Sequence, residues 1–438
     1  MNWKIATRIV LLGLLAGRAQ GATCPGPKKV YGFQHVEQGP GALHGQKISR
    51  IAVYSFNGRA WRRIPHQIDQ KNAQGDYVLE HGYPFTKGTD DGWFDFNDEF
   101  VVDSADFGLP FTANQLPPEV RQSGVFAWQV EYCGTDANFG WVLVVAHKSD
   151  PGSPFSPKVG FHKPSGQVTS PYYRYAFLPD NPAILGNLKL MTKAGPQAVI
   201  AKSKFQMPLR LPWFLPDLTF EDTDFVSEIE SWQTGPLRSI VAVGVKYQAF
   251  LGLYELHLFS ELVFSPNVFQ IPTVIEFVFD PSRYLRPGSG LAYSLTFPEG
   301  RGWELDTNLA TLPEAPPTAI VPQKEPPTAT MFYAQGKRPE AQFLVRTRVD
   351  PKALQMVPPP YLVEAAQFDR KPWKTNWKWL RQTNGDLGLF LDFSNVKAGI
   401  YQFGLDLILD SGANLKLTSY GSIRANWQAI SIPNTAAP

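Results

Sequence analysis

The chain has 438 residues, a formal net charge of +2 and an aromatic content of 13%. This near-neutral balance, without long lysine or arginine runs, argues against a nucleic-acid partner. With 36 glycines and 39 prolines, the composition is typical of short strands joined by tight turns rather than of long helices. We therefore expect an all-β protein, an antiparallel β-sandwich or supersandwich with few short helices.

The first 21 residues are predicted to be a secretory signal peptide. A basic start and the apolar run IVLLGLLAG, too short to cross a bilayer, precede small residues at Ala19 and Gly21. The mature chain is expected to start near Ala22 and to be periplasmic or extracellular. No later apolar run approaches the length of a membrane span.

The two cysteines, Cys24 and Cys133, are expected to form one disulfide in an oxidising compartment. The bond would tie the mature N-terminus to the predicted strand AWQVEYCG. Neither cysteine has a CxxC neighbour, so a metal site or a catalytic thiol is disfavoured. Lipidation of Cys24 is the alternative, but Thr23 fits poorly the small residue usually found before a lipidated cysteine.

Residues 22–150 are predicted to form an N-terminal β-domain. The run KISRIAVYSF leads into NGRA, and Asn-Gly is a strong hairpin signal. The runs VFAWQVEYCG and GWVLVVAHKS, separated by TDAN, predict a second hairpin.

An acidic stretch, residues 62–108, lies between these hairpins, with its aspartates set among Phe, Trp and Val. The oxygen-bearing side chains that would suit Ca²⁺ are Asp90, Asp91, Asp95, Asn97 and Glu99. Their spacing does not match an EF-hand loop. Bracing of neighbouring loops through backbone N–H groups is the favoured interpretation, with calcium second and catalysis third.

The central region, residues 151–311, has the clearest strand pattern. Apolar residues occupy alternate positions on two consecutive runs: Leu237, Val241, Val243, Val245 and Tyr247 on the first, and Tyr254, Leu256, Leu258, Leu262 and Phe264 on the second. Period-two patterning over consecutive runs predicts a large antiparallel sheet.

Polar residues alternate with these apolar rows and define a candidate site. Four of them suit acid–base chemistry on a sugar: Glu255, His257, Glu261 and Arg238. Two more are candidate ligand contacts: Lys246 and Glu276. A solvated sheet face, or a face that binds glycans without chemistry, explains the same alternation.

Residues 312–330 are rich in proline and predict a linker or a surface strap. Residues 331–438 form a C-terminal β-region, either a smaller domain or a last layer of the sandwich. Within it, DRKPWKTNWKWLRQTNG brings together Trp373, Trp377 and Trp379. The stretch fits either a strand or a helix. Core packing is its first interpretation, and a platform that stacks on sugar rings is the second.

Two stretches carry a resemblance to known proteins. IPHQID, DGWFDFNDEFVV and ADFG together resemble a recurring element of uncharacterised, β-rich secreted bacterial proteins. The later TGPLR resembles the DGP-x-R turn of supersandwich proteins related to galactose mutarotase, with Thr234 in place of the aspartate. The resemblance implies a supersandwich fold and assigns no active site.

Two functional hypotheses follow. The first is an exported envelope protein, non-catalytic or accessory, that binds a glycan or a protein partner on a sheet face. The alternative is a carbohydrate-active enzyme of epimerase or lyase type that uses carboxylate and histidine acid–base chemistry. The chain lacks the H-E-x-x-H, G-x-S-x-G and phosphate-loop motifs, so hydrolase and kinase functions that depend on these motifs lack support.

Overall fold

The computed structural model is an all-β sandwich, as the sequence predicts. It describes residues 34–73, 75–82, 91–133, 138–152, 155–249, 254–277, 280–286, 289–296, 304–307, 310–311, 331–338, 341–349, 361–362, 387–393, 396–410 and 424–432. The predicted signal peptide and the proline-rich stretch 312–330 lie outside these ranges.

The described ranges contain 28 strands. The first eight are β1 Gln34–Gln38, β2 Ile51–Phe56, β3 Trp61–Ile64, β4 His66–Asp69, β5 His81–Gly82, β6 Glu99–Asp103, β7 Gly124–Cys133 and β8 Asn138–His147. The next twelve are β9 Gly160–His162, β10 Gln167–Thr169, β11 Tyr173–Ala176, β12 Asn187–Thr192, β13 Gly195–Ile200, β14 Lys202–Leu209, β15 Leu218–Glu221, β16 Val226–Thr234, β17 Ser239–Ala249, β18 Tyr254–Phe264, β19 Val268–Phe277 and β20 Gly290–Thr296. The last eight are β21 Glu304–Thr307, β22 Ala310–Thr311, β23 Met331–Arg338, β24 Ala341–Val349, β25 Tyr361–Leu362, β26 Leu387–Asp392, β27 Gly399–Asp410 and β28 Arg424–Ala429.

Helical structure in the described ranges is short. The α-helix α1 covers Pro118–Ser123, and its N1 proline fits the first turn because that position needs no N–H donor. The 3₁₀ turns are Gly41–Leu43, Ile48–Arg50, Ser104–Asp106, Ala113–Gln115, Lys163–Ser165, Asp222–Asp224 and Pro281–Arg283. None of the helices in these ranges has the length and apolar character that crossing a bilayer would require.

Two sheets form the N-terminal part, a five-stranded sheet in the order β28-β7-β8-β2-β3 and a three-stranded sheet in the order β1-β6-β4. The predicted pairings are confirmed, because β2 pairs antiparallel with β3 and β7 with β8. Apolar side chains from both sheets share one core, which includes Val53, Ile64, Phe100, Val102, Val130 and Val144.

The largest sheet has nine strands in the order β21-β23-β24-β27-β19-β18-β17-β16-β5. One face packs on a five-stranded sheet, β13-β12-β11-β10-β9. The predicted alternation is confirmed there, since Val241 and Val243 of β17 and Leu262 and Phe264 of β18 all enter the shared core. This arrangement leaves the other face of β17 and β18 to meet a different part of the chain.

A six-stranded sheet in the order β15-β14-β20-β26-β25-β22 completes the fold. The described strands of region 331–438 are divided among three sheets. Strands β23, β24 and β27 extend the nine-stranded sheet, β25 and β26 belong to the six-stranded sheet, and β28 joins the N-terminal sheet.

Candidate functional site

The QID stretch of β4 lies on the TGPLR turn that precedes β17. Gln67 Oε1 accepts hydrogen bonds from the backbone N–H groups of Leu237 and Arg238, each at 2.9 Å. Gln67 Nε2 donates to the Arg238 carbonyl at 3.2 Å. A Cβ at Gly235 would lie 2.3 Å from Gln67 Cδ, so the turn needs a glycine there for the amide to enter. The two stretches that carry the sequence resemblance therefore contact each other.

A buried ion-pair cluster lies directly beside this contact. The Arg238 side chain is only 1% exposed, and its Nε lies 2.6 Å from Asp69 Oδ2. Its guanidinium also contacts the Glu99 carboxylate. Gln233 Nε2 donates to the second Asp69 oxygen at 2.7 Å. Both carboxylates that face the arginine are thus hydrogen-bonded as well as paired, which buried charges require.

Lys71 and Tyr77 complete the cluster. Lys71 Nζ lies 2.5 Å from Glu99 Oε1, and the Tyr77 hydroxyl donates to Glu99 Oε2 at 2.8 Å. Burial by itself would raise the pKa of Glu99, but the charges of Arg238 and Lys71 outweigh it and lower that pKa to about 2. Burial raises the pKa of Asp69, and the charge of Arg238 opposes the rise.

These contacts correct two predictions. The sequence pattern predicts Arg238 on an open sheet face as a catalytic candidate and Glu99 in a calcium site. In the structure, Arg238 is enclosed by two carboxylates, and Glu99 has both oxygens bound by other side chains. Neither side chain is open to a substrate or a metal ion. Their role is to join the N-terminal strands to the nine-stranded sheet.

The other calcium candidates in the described ranges bond to the backbone. Asp91 and Asp95 each accept from the N–H two residues ahead, at 2.8 and 3.1 Å. Asn97 Nδ2 donates to the Asn72 carbonyl at 2.7 Å. Across the described residues, no three His, Cys, Asp or Glu side chains are grouped to hold a metal ion. Asp90 lies outside these residues, so a calcium site that includes it stays a prediction.

Glu261 stands on β18 at the margin of the same cluster. Its Oε1 accepts from the backbone N–H of Tyr77 at 2.8 Å. Tyr77 and Leu79 pack on Ile240 and Val263, so they cover the adjoining part of the sheet face that the sequence analysis expected to be open. Burial raises the pKa of Glu261 to about 8. This carboxyl group, which is partly exposed, therefore holds a proton at neutral pH.

A second carboxyl group, from Glu230, occupies a neighbouring position. A Cβ added at Gly244 would lie only 1.8 Å from Glu230 Oε1, so the carboxylate fills the space that a side chain there would take. Gly244 and Ala242 are alternate positions on β17, and Ala242 pairs with Glu261. The two carboxyl groups thus belong to adjacent positions on one face. Sequence analysis missed Glu230, although a glycine inside a strand can signal such a close approach.

The remaining polar candidates are placed by their backbones. His257 pairs with Lys246, and Glu255 pairs with Gln248, between β18 and β17. Glu276 lies on β19 and pairs with Ile400 of β27. Strand register therefore makes His257 and Lys246 backbone partners. Lys246 lies two residues after Gly244 on β17.

Several predicted residues fall outside the described ranges. They are Trp373, Trp377, Trp379 and Cys24. The backbone of Cys133 lies at the end of β7, where it pairs with Asn138 and Arg424. The disulfide and the aromatic platform remain predictions.

The chain has a low structural similarity to two solved proteins. No family model and no curated protein matches the chain. An alpha-mannosidase from Enterococcus faecalis V583 has a TM-score of 0.43 and 10% identity, over 91% of this chain and 44% of that chain. A protein proposed to be a kojibiose phosphorylase, from the human microbiome, has a TM-score of 0.22 and 10% identity, over 60% of this chain and 35% of that one. This chain spans less than half the length of either protein.

The fold and the site together define a class: an all-β sandwich protein in which a buried arginine cluster anchors an N-terminal β-layer to a nine-stranded sheet. Two carboxyl groups, those of Glu261 and Glu230, lie on one face of that sheet near the cluster.

Proposed function

We propose that the chain is a carbohydrate-active enzyme whose acid–base chemistry takes place at Glu261 and Glu230. The observation that carries this proposal is the raised pKa of Glu261, about 8, in a carboxyl group that shares a sheet face with a second carboxyl group, that of Glu230. General acid–base catalysis needs a group that is still protonated at the working pH and a nearby group that accepts a proton. Glu261 is the proton donor of this proposal, and Glu230 is the acceptor.

Strand geometry supports this pairing over one between Glu261 and His257. The Glu230 carboxylate lies at Gly244, two residues along β17 from Ala242, which is the strand partner of Glu261. His257 is four residues from Glu261 along β18, or about 13 Å. His257, Lys246, Glu255 and Glu276 stay predictions as further ligand residues, and the structure describes only their backbone register.

The chemistry of the face favours a sugar that carries no strong negative charge. A protonated carboxyl group and a carboxylate both hydrogen-bond well to hydroxyl groups, and the charge of the Glu230 carboxylate would repel an anionic sugar. The small net charge of the chain gives no general attraction for polyanions either.

Binding without turnover is the second candidate. The packing of Tyr77 and Leu79 over part of this face favours it, because they limit access to Glu261 from one side. Under both candidates we also propose export, which mass spectrometry of the mature N-terminus near Ala22 would test.

The test is a panel of neutral oligosaccharides and polysaccharides, assayed for new reducing ends, for unsaturated ends and for epimerised sugars. Glu261→Gln is expected to lower turnover about 10²- to 10⁴-fold while calorimetry shows that sugar binding persists. Glu119→Gln, at an exposed position of α1, is the matched control and should retain full turnover. Undiminished turnover in Glu261→Gln would reject the proposed acid. Binding by the unmodified chain without any turnover would favour the second candidate.

A further inference from the structure

The turn between β14 and β15 presents three consecutive large apolar side chains to solvent. Trp213 is 88% exposed, Phe214 66% and Leu215 45%. Single apolar residues are common on protein surfaces, but a contiguous group at the tip of a hairpin marks an interaction surface. We call residues 213–215 the apolar tip.

The backbone holds the apolar tip in place. The Leu215 N–H donates to the Pro212 carbonyl at 2.8 Å, which closes the turn. The backbone N–H of Arg286 donates to the Arg210 carbonyl at 2.8 Å, and Ser289 Oγ accepts from the Arg210 N–H at 2.7 Å. Residues 286–289 thus support the backbone of the turn that carries the apolar tip.

Cationic side chains lie on the segments next to the base of the apolar tip. The cationic side chains there are Arg210, Arg283, Arg286 and Lys397. Two carboxylates pair with them, Asp217 with Arg286 at 2.5 Å and Asp280 with Arg283 at 2.9 Å. Tyr284, which is also exposed, lies between two of the arginines. Of these six charged side chains, four are cationic and two are anionic, so the base of the apolar tip carries a positive balance.

We propose that the apolar tip docks the protein onto an anionic phospholipid surface. Trp213, Phe214 and Leu215 enter the boundary between headgroups and acyl chains, while the surrounding arginines contact lipid phosphates. Aromatic and aliphatic side chains flanked by arginine and lysine are the combination that suits this boundary. Docking of this kind attaches the protein to one leaflet without a membrane span.

The shape of the apolar tip favours a lipid surface over a sugar or a protein. The Trp213 and Phe214 rings meet at 86°, with centroids 5.8 Å apart, so they do not form the flat platform on which a sugar ring stacks. The tip also projects outward, and a projecting apolar group enters a fluid bilayer without needing a matching pocket.

The test is flotation of the full chain with vesicles of phosphatidylcholine alone and of phosphatidylcholine mixed with phosphatidylglycerol. The chain is expected to float with the anionic vesicles, and added salt should weaken this association. Trp213→Ala should lower the partition coefficient roughly tenfold or more. The matched control is Trp93→Ala, which removes another exposed tryptophan, 48% exposed and outside the apolar tip, and should leave binding unchanged.

A variant that removes one positive charge separates the electrostatic contribution to vesicle binding from the apolar one. Arg283→Gln should weaken binding to the anionic vesicles and leave any weak association with phosphatidylcholine unchanged. The proposal is overturned if the unmodified chain floats with neither vesicle, or if Trp213→Ala binds as well as the unmodified chain. Failure here leaves the proposed acid–base chemistry untouched, because the apolar tip and Glu261 lie on different elements.

Discussion

Asp69 and Arg238 are 169 residues apart in the chain, yet their side chains form a buried ion pair with 2.6 Å between Oδ2 and Nε. The pair joins β4 of the N-terminal part to the start of β17 in the nine-stranded sheet. Removing one member of such a pair is costly, because the other charge is left buried without a partner.

Asp69→Ala is therefore expected to lower the free energy of unfolding by about 3–5 kcal/mol. Urea unfolding followed by tryptophan fluorescence measures the change. Arg62→Ala is the control, because Arg62 is half exposed and pairs with Asp106 at the surface. That substitution should cost no more than about 1 kcal/mol. Equal losses in the two variants would contradict the assigned role of the buried pair.

Gly235→Ala tests the contact between Gln67 and the TGPLR turn. The added methyl group would overlap the Gln67 amide and displace it from the N–H groups of Leu237 and Arg238. We expect a loss of about 1–3 kcal/mol in unfolding free energy, measured by thermal and urea denaturation. Gly41→Ala, where a Cβ meets nothing within 4 Å, should leave stability nearly unchanged. If Gly235→Ala leaves the free energy of unfolding unchanged, the turn accommodates a side chain there without losing the Gln67 hydrogen bonds.

Glu261 predicts a pH dependence of stability with a definite sign. Folding raises its pKa from an ordinary value of 4.5 to about 8, so the folded protein keeps a proton that the unfolded chain loses. The stability linked to this proton is complete below about pH 4.5 and is lost as the pH rises towards 8.

Glu261→Gln removes that dependence while keeping an oxygen that can accept from the Tyr77 N–H. The difference in unfolding free energy between the two proteins should therefore change steadily between pH 5 and pH 8. Urea titrations at half-unit pH steps measure it. Asp98, whose pKa burial raises to about 6, is present in both proteins and cancels. A difference that stays constant across this range would show that Glu261 is ionised in the folded state.

Gly244→Ala tests the placement of Glu230 without altering either carboxyl group. The new methyl group would occupy the position of Glu230 Oε1, and the flexible glutamate side chain would have to swing away. We expect sugar turnover to fall at least tenfold while the melting temperature changes little, because the displaced atoms are the end of a flexible side chain. Gly160→Ala, where the added Cβ makes only an ordinary contact, is the control. A Gly244→Ala protein with full turnover would contradict a role for Glu230 at this position.

The sequence predicted the sheets better than it predicted the site. Alternation correctly identified Val241 and Val243 as core residues, because period two depends only on local geometry. The opposite face was expected to be polar and open, yet Ile240 on that face is fully buried. The cause is Tyr77, which lies more than 160 residues earlier in the chain. Long-range contacts of this kind leave no periodic signal in a single sequence, so the enclosure of Arg238 was not predictable.

Strand β28 has a consequence for how the protein reaches its native state. It pairs with β7 through Arg424 and Cys133, a separation of 291 residues (424 − 133), and Trp427 Nε1 donates to the Glu37 carboxylate at 2.9 Å. Until residues 424–429 are available, β7 remains an unprotected edge that other chains can join. The N-terminal sheet therefore cannot be completed until residues 424–429 have been synthesised. Such late closure of the sheet slows folding and exposes the edge of β7 to aggregation while residues 424–429 are missing.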